Sequence, residues 1–457
     1  MRVIICGAGR VGQGIAERLA KENADVTVID QDSGLVRGLT ERLDVRGVVG
    51  NGSFPEVLAE AGAKETDMVI AVTYSDEVNI VACQISHSLF DVPTKIARIR
   101  AASYLDPKYS DLFSRTHIPI DVIISPEQEV AESVLERMST PAAFEVKSFA
   151  DGRIWALGLR LPDDCPILYT PLRQVAELFP DLDITIVGVR RDGKIFRPHA
   201  EDQLNEGDDI YFVADRMKVD RALQILGEEK RQARRVVIVG GGNIGLHVAL
   251  ALENMGSMKI RLIEDNPDRA AFVAERLERT IVLNGSGLDR DILREAGVAQ
   301  AETVVTLTNS DQVNVLSSVV AKREGARRAL ALINEPEYGA LSESLGVDRY
   351  VDPRAITVST ILQHIRRGRI KGVYSLLDGQ AELIDAIALE TSPLVGEPLH
   401  KVDLPAGVVV GAILRGDEVM LPNSQTVIEP NDRVVLLSLR QHVKDVEQMF
   451  RVSLEYF

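Results

Sequence analysis

The residues best placed to do chemistry are glycines. Gly7-Ala8-Gly9-Arg10-Val11-Gly12 follows the short apolar run Val3–Cys6 and opens a helix-length segment. Glycines at that spacing after a strand let a backbone approach a pyrophosphate. The first allows the tight turn, the second the close approach, and the third lets the helix pack against the sheet. The helix start then offers free N–H groups and the positive end of its dipole to the phosphates. Asp30 closes the next apolar run, where an acidic residue would accept hydrogen bonds from ribose hydroxyls. Its charge repels a 2′-phosphate, which favours NAD(H) or another adenine nucleotide over NADP(H). A second set stands in the middle of the chain: Gly240-Gly241-Gly242-Asn243-Ile244-Gly245 after Val236–Val239, with Glu264 at the acidic position. The alternative for each set is a strand–helix turn that keeps its glycines for packing alone.

Other candidates follow the same logic. Asn51 and Asn284 stand just past the third strand of each set, within reach of an adenine edge. Thr73-Tyr74 and Thr308-Asn309 stand just past the fourth. Thr and Asn in such places also make ordinary turns and caps. Arg98 ends the fifth strand of the first set, where a guanidinium pairs with a phosphate. A rim salt bridge is its plainer reading. The matching positions for Arg98 and Arg100 are Leu332 and Asn334, so the second site expects a different ligand, a weaker one, or a structural role.

These residues need a frame, and the sequence repeats it. Val3–Gly7 recurs as Val236–Gly240, Asn51-Gly52-Ser53 as Asn284-Gly285-Ser286, Thr73–Asn79 as Thr308–Asn314, and Tyr104 as Tyr338. Matches sustained over so long a stretch are a duplication. Strands are expected at Arg2–Cys6, Asp25–Ile29, Val45–Val49, Met68–Val72, Lys95–Ile99 and Val122–Ile124. Helices are expected at Val11–Lys21 and Asp76–Phe90. Nearly continuous Val/Ile runs alternating with helical segments imply a doubly wound parallel sheet. The intervening stretches carry Asp192-Gly193 and Gly416-Asp417 turns between short strands, as hairpins do, with a helix at Pro171–Leu178. The fold class is therefore α/β: two Rossmann-like domains, each followed by a small α+β module. The divisions are 1–135, 136–231, 232–368 and 369–457.

Two further segments have helical patterning. Ser125-Pro126-Glu127 and Asp352-Pro353-Arg354 are good helix starts. They precede apolar positions Val130, Val134 and Met138, and Val358, Ile361, Leu362 and Ile365. Packing under its own sheet is one reading of each. The basic run Arg366, Arg367, Arg369 and Lys371 reads as a solvated linker or a contact for anionic lipid or a partner.

Composition narrows the classes. With 457 residues, 45% hydrophobic and 26% charged, the chain is an ordinary globular one of several domains. A net charge of −16 disfavours a nucleic-acid-coating surface. Cys6, Cys83 and Cys165 are too scattered for a disulfide framework or zinc site, and no metal site is expected. Cys6 reads as a small core residue. The N-terminus gives no export signal, and Val78–Phe90 is too short to span a bilayer. The seven histidines, His87, His117, His199, His247, His364, His400 and His442, form no metal pair or nucleophile–base cluster. No catalytic residue is expected. The competing class is an NAD-dependent oxidoreductase on tandem Rossmann domains, which would need an acid/base group near the nicotinamide.

The glycine loop, Asp30, Asn51-Gly52, Thr73-x-x-Asp76-Glu77-x-Asn79 and Ala97-Arg98 together resemble the regulator-of-potassium-conductance domain, also called the potassium-transport nucleotide-binding domain. The resemblance covers nearly the whole chain, in duplicate. It implies a non-enzymatic regulatory subunit with NAD(H) or ATP and ADP as ligands. Such a subunit is cytoplasmic and peripheral on the inner face of the inner membrane. Its partner is an integral membrane potassium-translocating subunit. It implies a homo-oligomer, a dimer or tetramer, and a helix after strand six that crosses to a neighbouring lobe. In relatives, Asp often stands at the position of Asn51.

Overall fold

The structure, a computed structural model, describes all residues except 22, 115, 141, 228–234, 257, 366–369, 377–378 and 451–457. Arg366, Arg367 and Arg369 of the basic run therefore lie outside the described residues.

The first lobe runs β1 (Arg2–Cys6), α1 (Arg10–Lys21), β2 (Asp25–Asp30), α2 (Ser33–Thr40), β3 (Arg46–Val49), α3 (Pro55–Glu60), β4 (Met68–Ala71), α4 (Asp76–Phe90), β5 (Thr94–Arg98), β6 (Val122–Ile124) and α5 (Pro126–Ser139). Its six strands lie in the order β3-β2-β1-β4-β5-β6, and every pair is parallel. Val3, Ile4, Ile5 and Cys6 are all buried, as a central strand covered on both faces requires. Burial pushes the Cys6 thiol up to about 12, in keeping with a packing role. The strand ends match the expected ones to within a single residue.

An antiparallel sheet follows: β7 (Glu145–Phe149), β8 (Ile154–Arg160), α6 (Leu172–Leu178), β9 (Thr185–Arg191), β10 (Lys194–Phe196), β11 (Asp209–Asp215) and α7 (Val219–Ile225), in the order β10-β9-β11-β8-β7. The second lobe repeats the first. Its elements are β12 (Arg235–Val239), α8 (Asn243–Asn254), β13 (Lys259–Glu264), α9 (Pro267–Ala274), β14 (Ile281–Asn284), α10 (Arg290–Glu295), β15 (Thr303–Thr306), α11 (Asp311–Arg323), β16 (Ala329–Leu332), α12 (Pro336–Ser344), β17 (Arg349–Val351) and α13 (Pro353–Ile365). Its strand order β14-β13-β12-β15-β16-β17 is that of the first lobe. A second antiparallel sheet, β18 (Ile370–Leu376), β19 (Ala381–Ile387), β20 (Val408–Arg415), β21 (Glu418–Met420) and β22 (Arg433–Leu439), ends on α14 (Val443–Met449).

By contacts the chain forms two units. One joins the two parallel-sheet lobes, residues 1–132 and 236–364. The other joins the two antiparallel sheets, residues 133–235 and 365–457. In the second unit the sheets share a core of Phe149, Ile154, Val187 and Val213 against Leu383, Ala412, Val435 and Leu437. Asp385 ties them further by accepting from the Ala150 amide at 3.1 Å, and Arg433, paired with Asp385 of its own sheet at 2.8 Å, also reaches Asp151 beyond β7 at 2.7 Å. Each small module thus has a core of its own and shares a second one with the other, a pairing that hairpin signals do not reveal.

In the first unit, helix α1 of the first lobe meets α13 of the second. A methyl group built on Gly14 would lie 2.8 Å from Val358 Cγ2 and 3.2 Å from Arg354 Nε. Arg354 pairs with Glu17 at 3.3 Å, and the Thr360 hydroxyl donates to Glu129 at 3.2 Å. Arg10 forms an ion pair with Glu335. The apolar positions after strand six serve packing: Val130, Val134 and Ile361 are fully buried.

Gly14 therefore stands mid-helix for the approach of a neighbour, against its own poor helix propensity. Gly14→Val is expected to cost about 1–3 kcal/mol through overpacking, read as a lower thermal midpoint. Gly38→Ala in α2, where an added methyl meets nothing within 4 Å, is expected to raise the midpoint slightly.

Candidate nucleotide-binding crevices

In each lobe the strand order reverses beside the first strand, so the loops after neighbouring strands part and leave a crevice at their C-terminal ends. The first crevice encloses about 600 Å³ and the second about 510 Å³, within the range of small-molecule sites.

The loop after β1 is fixed by lack of space. Gly7 has φ +114°, which an L side chain resists, and a methyl on Gly12 would lie 1.8 Å from the Gly7 carbonyl oxygen. With both glycines in place, α1 starts tight against the sheet and its first N–H groups face the crevice. The second loop has the same geometry: φ +105° at Gly240, and 1.9 Å between a methyl on Gly245 and the Gly240 oxygen.

The acidic residues are held by these loops. Asp30 accepts from the Ala8 amide at 2.7 Å and the Asp32 amide at 2.9 Å. Glu264 accepts from the Gly241 amide at 2.6 Å and the Asn266 amide at 3.0 Å. Each carboxylate keeps lone pairs for ribose hydroxyls, and its charge is locked where a 2′-phosphate would lie.

The far wall is built by a buried amide. Asn79 has no exposed surface. Its Oδ1 accepts from the Thr73 amide at 2.9 Å and the Thr73 hydroxyl at 2.7 Å. Its Nδ2 donates to the carbonyls of Thr73 at 3.2 Å and Arg98 at 2.9 Å. Asp76 at the start of α4 accepts from the amides of Arg100 and Ala101. The ends of β4 and β5 are thereby tied to α4. Asn314 and Asp311 repeat these bonds around Thr308, Leu332, Asn334 and Glu335. The Thr-x-x-Asp-x-x-Asn motif is thus a clamp, and the Thr73 and Thr308 hydroxyls are engaged in it.

Arg98 differs from its neighbour Arg100. Arg100 donates to Glu127 at 2.8 Å and stacks over the Tyr74 ring at 4.9 Å. Burial lowers the pKa of Arg100, but Glu127 outweighs it and the net direction is upward. The Arg98 pKa is lowered, chiefly by burial, and its Nε has no hydrogen-bond partner among the described residues. Among the described residues Arg98 makes no rim salt bridge. Arg98 lines the first crevice, and a partly desolvated guanidinium there is suited to receive an anion.

Gly7, Gly9, Arg10, Val11, Asp30, Asn51, Thr73, Tyr74 and Arg98 all line the first crevice, whereas Ala8 and Gly12 lie behind it. In the second, Gly240, Gly242, Glu264, Thr308 and Asn309 line the cavity, while Gly241, Asn243, Ile244 and Gly245 do not. Asn284 is a correction. It is the last residue of β14, paired with Glu264 as Val49 is with Asp30. Its amide donates to the carbonyls of Glu264 at 2.9 Å and Asp265 at 3.2 Å, and Asn284 does not line the cavity. Gly50 and Gly285 bond alike to the neighbouring strand, so the counterpart of Asn51 is Ser286, which does line the second crevice. The repeated Asn-Gly-Ser is out of structural register.

No sequence pattern points to Arg269. It comes from the first turn of α9, where the first lobe has Leu35, and reaches over the second loop. Its Nε donates to the Gly241 carbonyl at 2.7 Å and its guanidinium to Asn243 Oδ1 at 3.1 Å. The second crevice thus lacks an Arg98 equivalent but gains a cation from the opposite wall. The first crevice is also lined by Asn334, Pro353, Arg354 and Thr357 of the second lobe, which no local pattern indicates.

These features define a chain with two nucleotide-type crevices on tandem Rossmann-like lobes. The TrkA-N domain model matches residues 3–126 and 236–353, and the TrkA-C domain model residues 157–227 and 384–451. Among curated relatives, the Trk system potassium uptake protein TrkA of Azorhizobium caulinodans is 54% identical over the full length of both chains. Those of Halomonas elongata and Vibrio alginolyticus are 40% and 38% identical, over 100% and 99% of both chains. A structure of the GsuK channel bound to NAD superposes with a TM-score of 0.61 at 18% identity, covering 98% of this chain and 78% of that one. That likeness bears on the fold alone. The chain belongs to the TrkA family of potassium uptake proteins.

Asn79→Ala is expected to leave Thr73 and Arg98 backbone groups unpaired and to cost about 2–4 kcal/mol. Calorimetric or chemical unfolding checks this. A loss below about 0.5 kcal/mol would show that the clamp is not needed.

Proposed function

We propose that this chain is the nucleotide-responsive regulatory subunit of a potassium uptake system. Its crevices receive NAD(H) or ATP and ADP, and their occupancy sets the conformation presented to an integral membrane potassium-translocating subunit of the TrkH/TrkG type. The working state is a homo-oligomer, dimer or tetramer, on the cytoplasmic face of the inner membrane. The proposed working parts are 1–135, 136–231, 232–368 and 369–457, with ligand contacts at the predicted loop, acid, Thr-Tyr and Arg98 positions. The relatives carry the potassium-uptake name over their full length. No helix among the described residues is long and apolar enough to cross a membrane, and the translocating part is assigned to a separate subunit.

The observation that carries the ligand class is the first crevice itself: an acid held by the Ala8 amide of the glycine loop and by the Asp32 amide, with the Arg98 guanidinium lining the same cavity. One end suits a ribose, the other a phosphate. We read binding here as regulatory. A ligand shifts a conformational equilibrium only by its differential affinity for the two states. A crevice between strand ends tied to different helices supplies that difference.

Calorimetric titration of NAD, NADH, ATP and ADP into the wild type, Asp30→Ala and Glu264→Ala is the test. Binding is expected in the wild type, weakened about tenfold or more at the altered crevice. Sustained NADH turnover by the purified chain would instead favour an oxidoreductase.

A further inference from the structure

The two crevices differ in ownership. The second is lined entirely by its own lobe, from Val239 to Val313. The first draws part of its wall from the other lobe, through Asn334 and the start of α13 at Pro353, Arg354 and Thr357. Pro126 at the start of α5 lines the same cavity. Both post-strand-six helices therefore begin at the first crevice, and neither lines the second.

The duplicated motif has opposite charges there. Ser125-Pro126-Glu127 has an acid where Asp352-Pro353-Arg354 has a base. Glu127 is committed to Arg100 at 2.8 Å. Arg354 pairs with Glu17 of α1 at 3.3 Å, with both side chains about 30% exposed. A partly exposed pair at that separation is weak and exchanges readily for a better anion. Arg354 thus joins Arg10 and Arg98 as the arginines lining the first cavity. Arg10 is already paired with Glu335, so Arg354, with its longer and weaker pair, is the cross-lobe guanidinium free to turn to a further phosphate.

We propose that Arg354, carried by the second lobe, binds the outer phosphates of an adenine nucleotide seated in the first lobe's crevice. This rests on the nucleotide reading above and deepens it. The loop after β1 takes the phosphate nearest the ribose. Phosphates beyond it draw Arg354 away from Glu17, and the ligand joins the lobes. Occupancy of the first crevice then acts on the α1–α13 contact, which Gly14 keeps close. Occupancy of the second has no such route. The number of phosphates becomes the signal, since AMP offers no group for Arg354 to hold.

The test is calorimetric titration of ATP and AMP into the full chain carrying Arg354→Gln or Glu17→Gln. Arg354→Gln is expected to weaken ATP about tenfold or more, the size of a lost charge-assisted contact, and to leave AMP within about twofold. Glu17→Gln breaks the same ion pair but keeps the guanidinium, so ATP binds as tightly or more so. If Arg354→Gln leaves ATP unchanged, or Glu17→Gln weakens it equally, the proposal is overturned, the second result showing that lobe packing is what matters. Should Arg354→Gln fold poorly, Arg354→Lys decides instead: a reduced ATP-over-AMP ratio supports the role and an unchanged ratio refutes it. A wild type that binds neither nucleotide would overturn the nucleotide reading as well. Wild-type binding with no effect at Arg354 overturns this inference alone.

Discussion

A missing side chain sets the geometry of both sites. Helix α1 can start where it does only because nothing stands between Gly12 and the Gly7 carbonyl, where a methyl would lie 1.8 Å from the oxygen. From that contact follow the direction of the first free N–H groups, the position of the Ala8 amide, and hence the anchoring of Asp30. Gly245 and Gly240 reproduce the contact and Glu264 the anchoring. A side chain at either helix start would lift the helix, turn its dipole from the crevice and release the acid together.

Around this conserved geometry the lobes have diverged through cations. The first has Arg98 at the end of β5, half-buried and, among the described residues, without a partner at Nε. The second has Leu332 there and answers with Arg269 from the other wall. Leu35, at the position of Arg269, lines the first crevice with apolar surface instead. The charge that faces a ligand thus enters from different directions in the two lobes, and only the first crevice has a wall shared between them. Duplication gives two similar pockets, and these few exchanges make them unequal.

Much of this was legible in the sequence. The β-α alternation, the glycine loops, Asp30 and Glu264, and the crevice edge at Thr73 and Thr308 all follow from patterns that are local or repeat plainly. The failures have physical causes. Asn284 was matched to Asn51 because the same three residue types recur. Strand pairing, which sets register, gives Ser286 that place. Arg269 and Arg354 were not recognised because a side chain that crosses a loop or a lobe boundary leaves no periodic mark. The pairing of the small modules into one two-sheet core was likewise invisible, since each sheet's outward face reads only as another apolar strand face.

The account stands or falls on whether a phosphorylated ligand sits on the loop amides. Hydrogen–deuterium exchange over residues 7–14, with and without saturating ATP or NADH, reads those amides directly. Occupied N–H groups exchange more slowly, so protection in that segment is the predicted result. Exchange there that no adenine nucleotide slows would contradict the central claim.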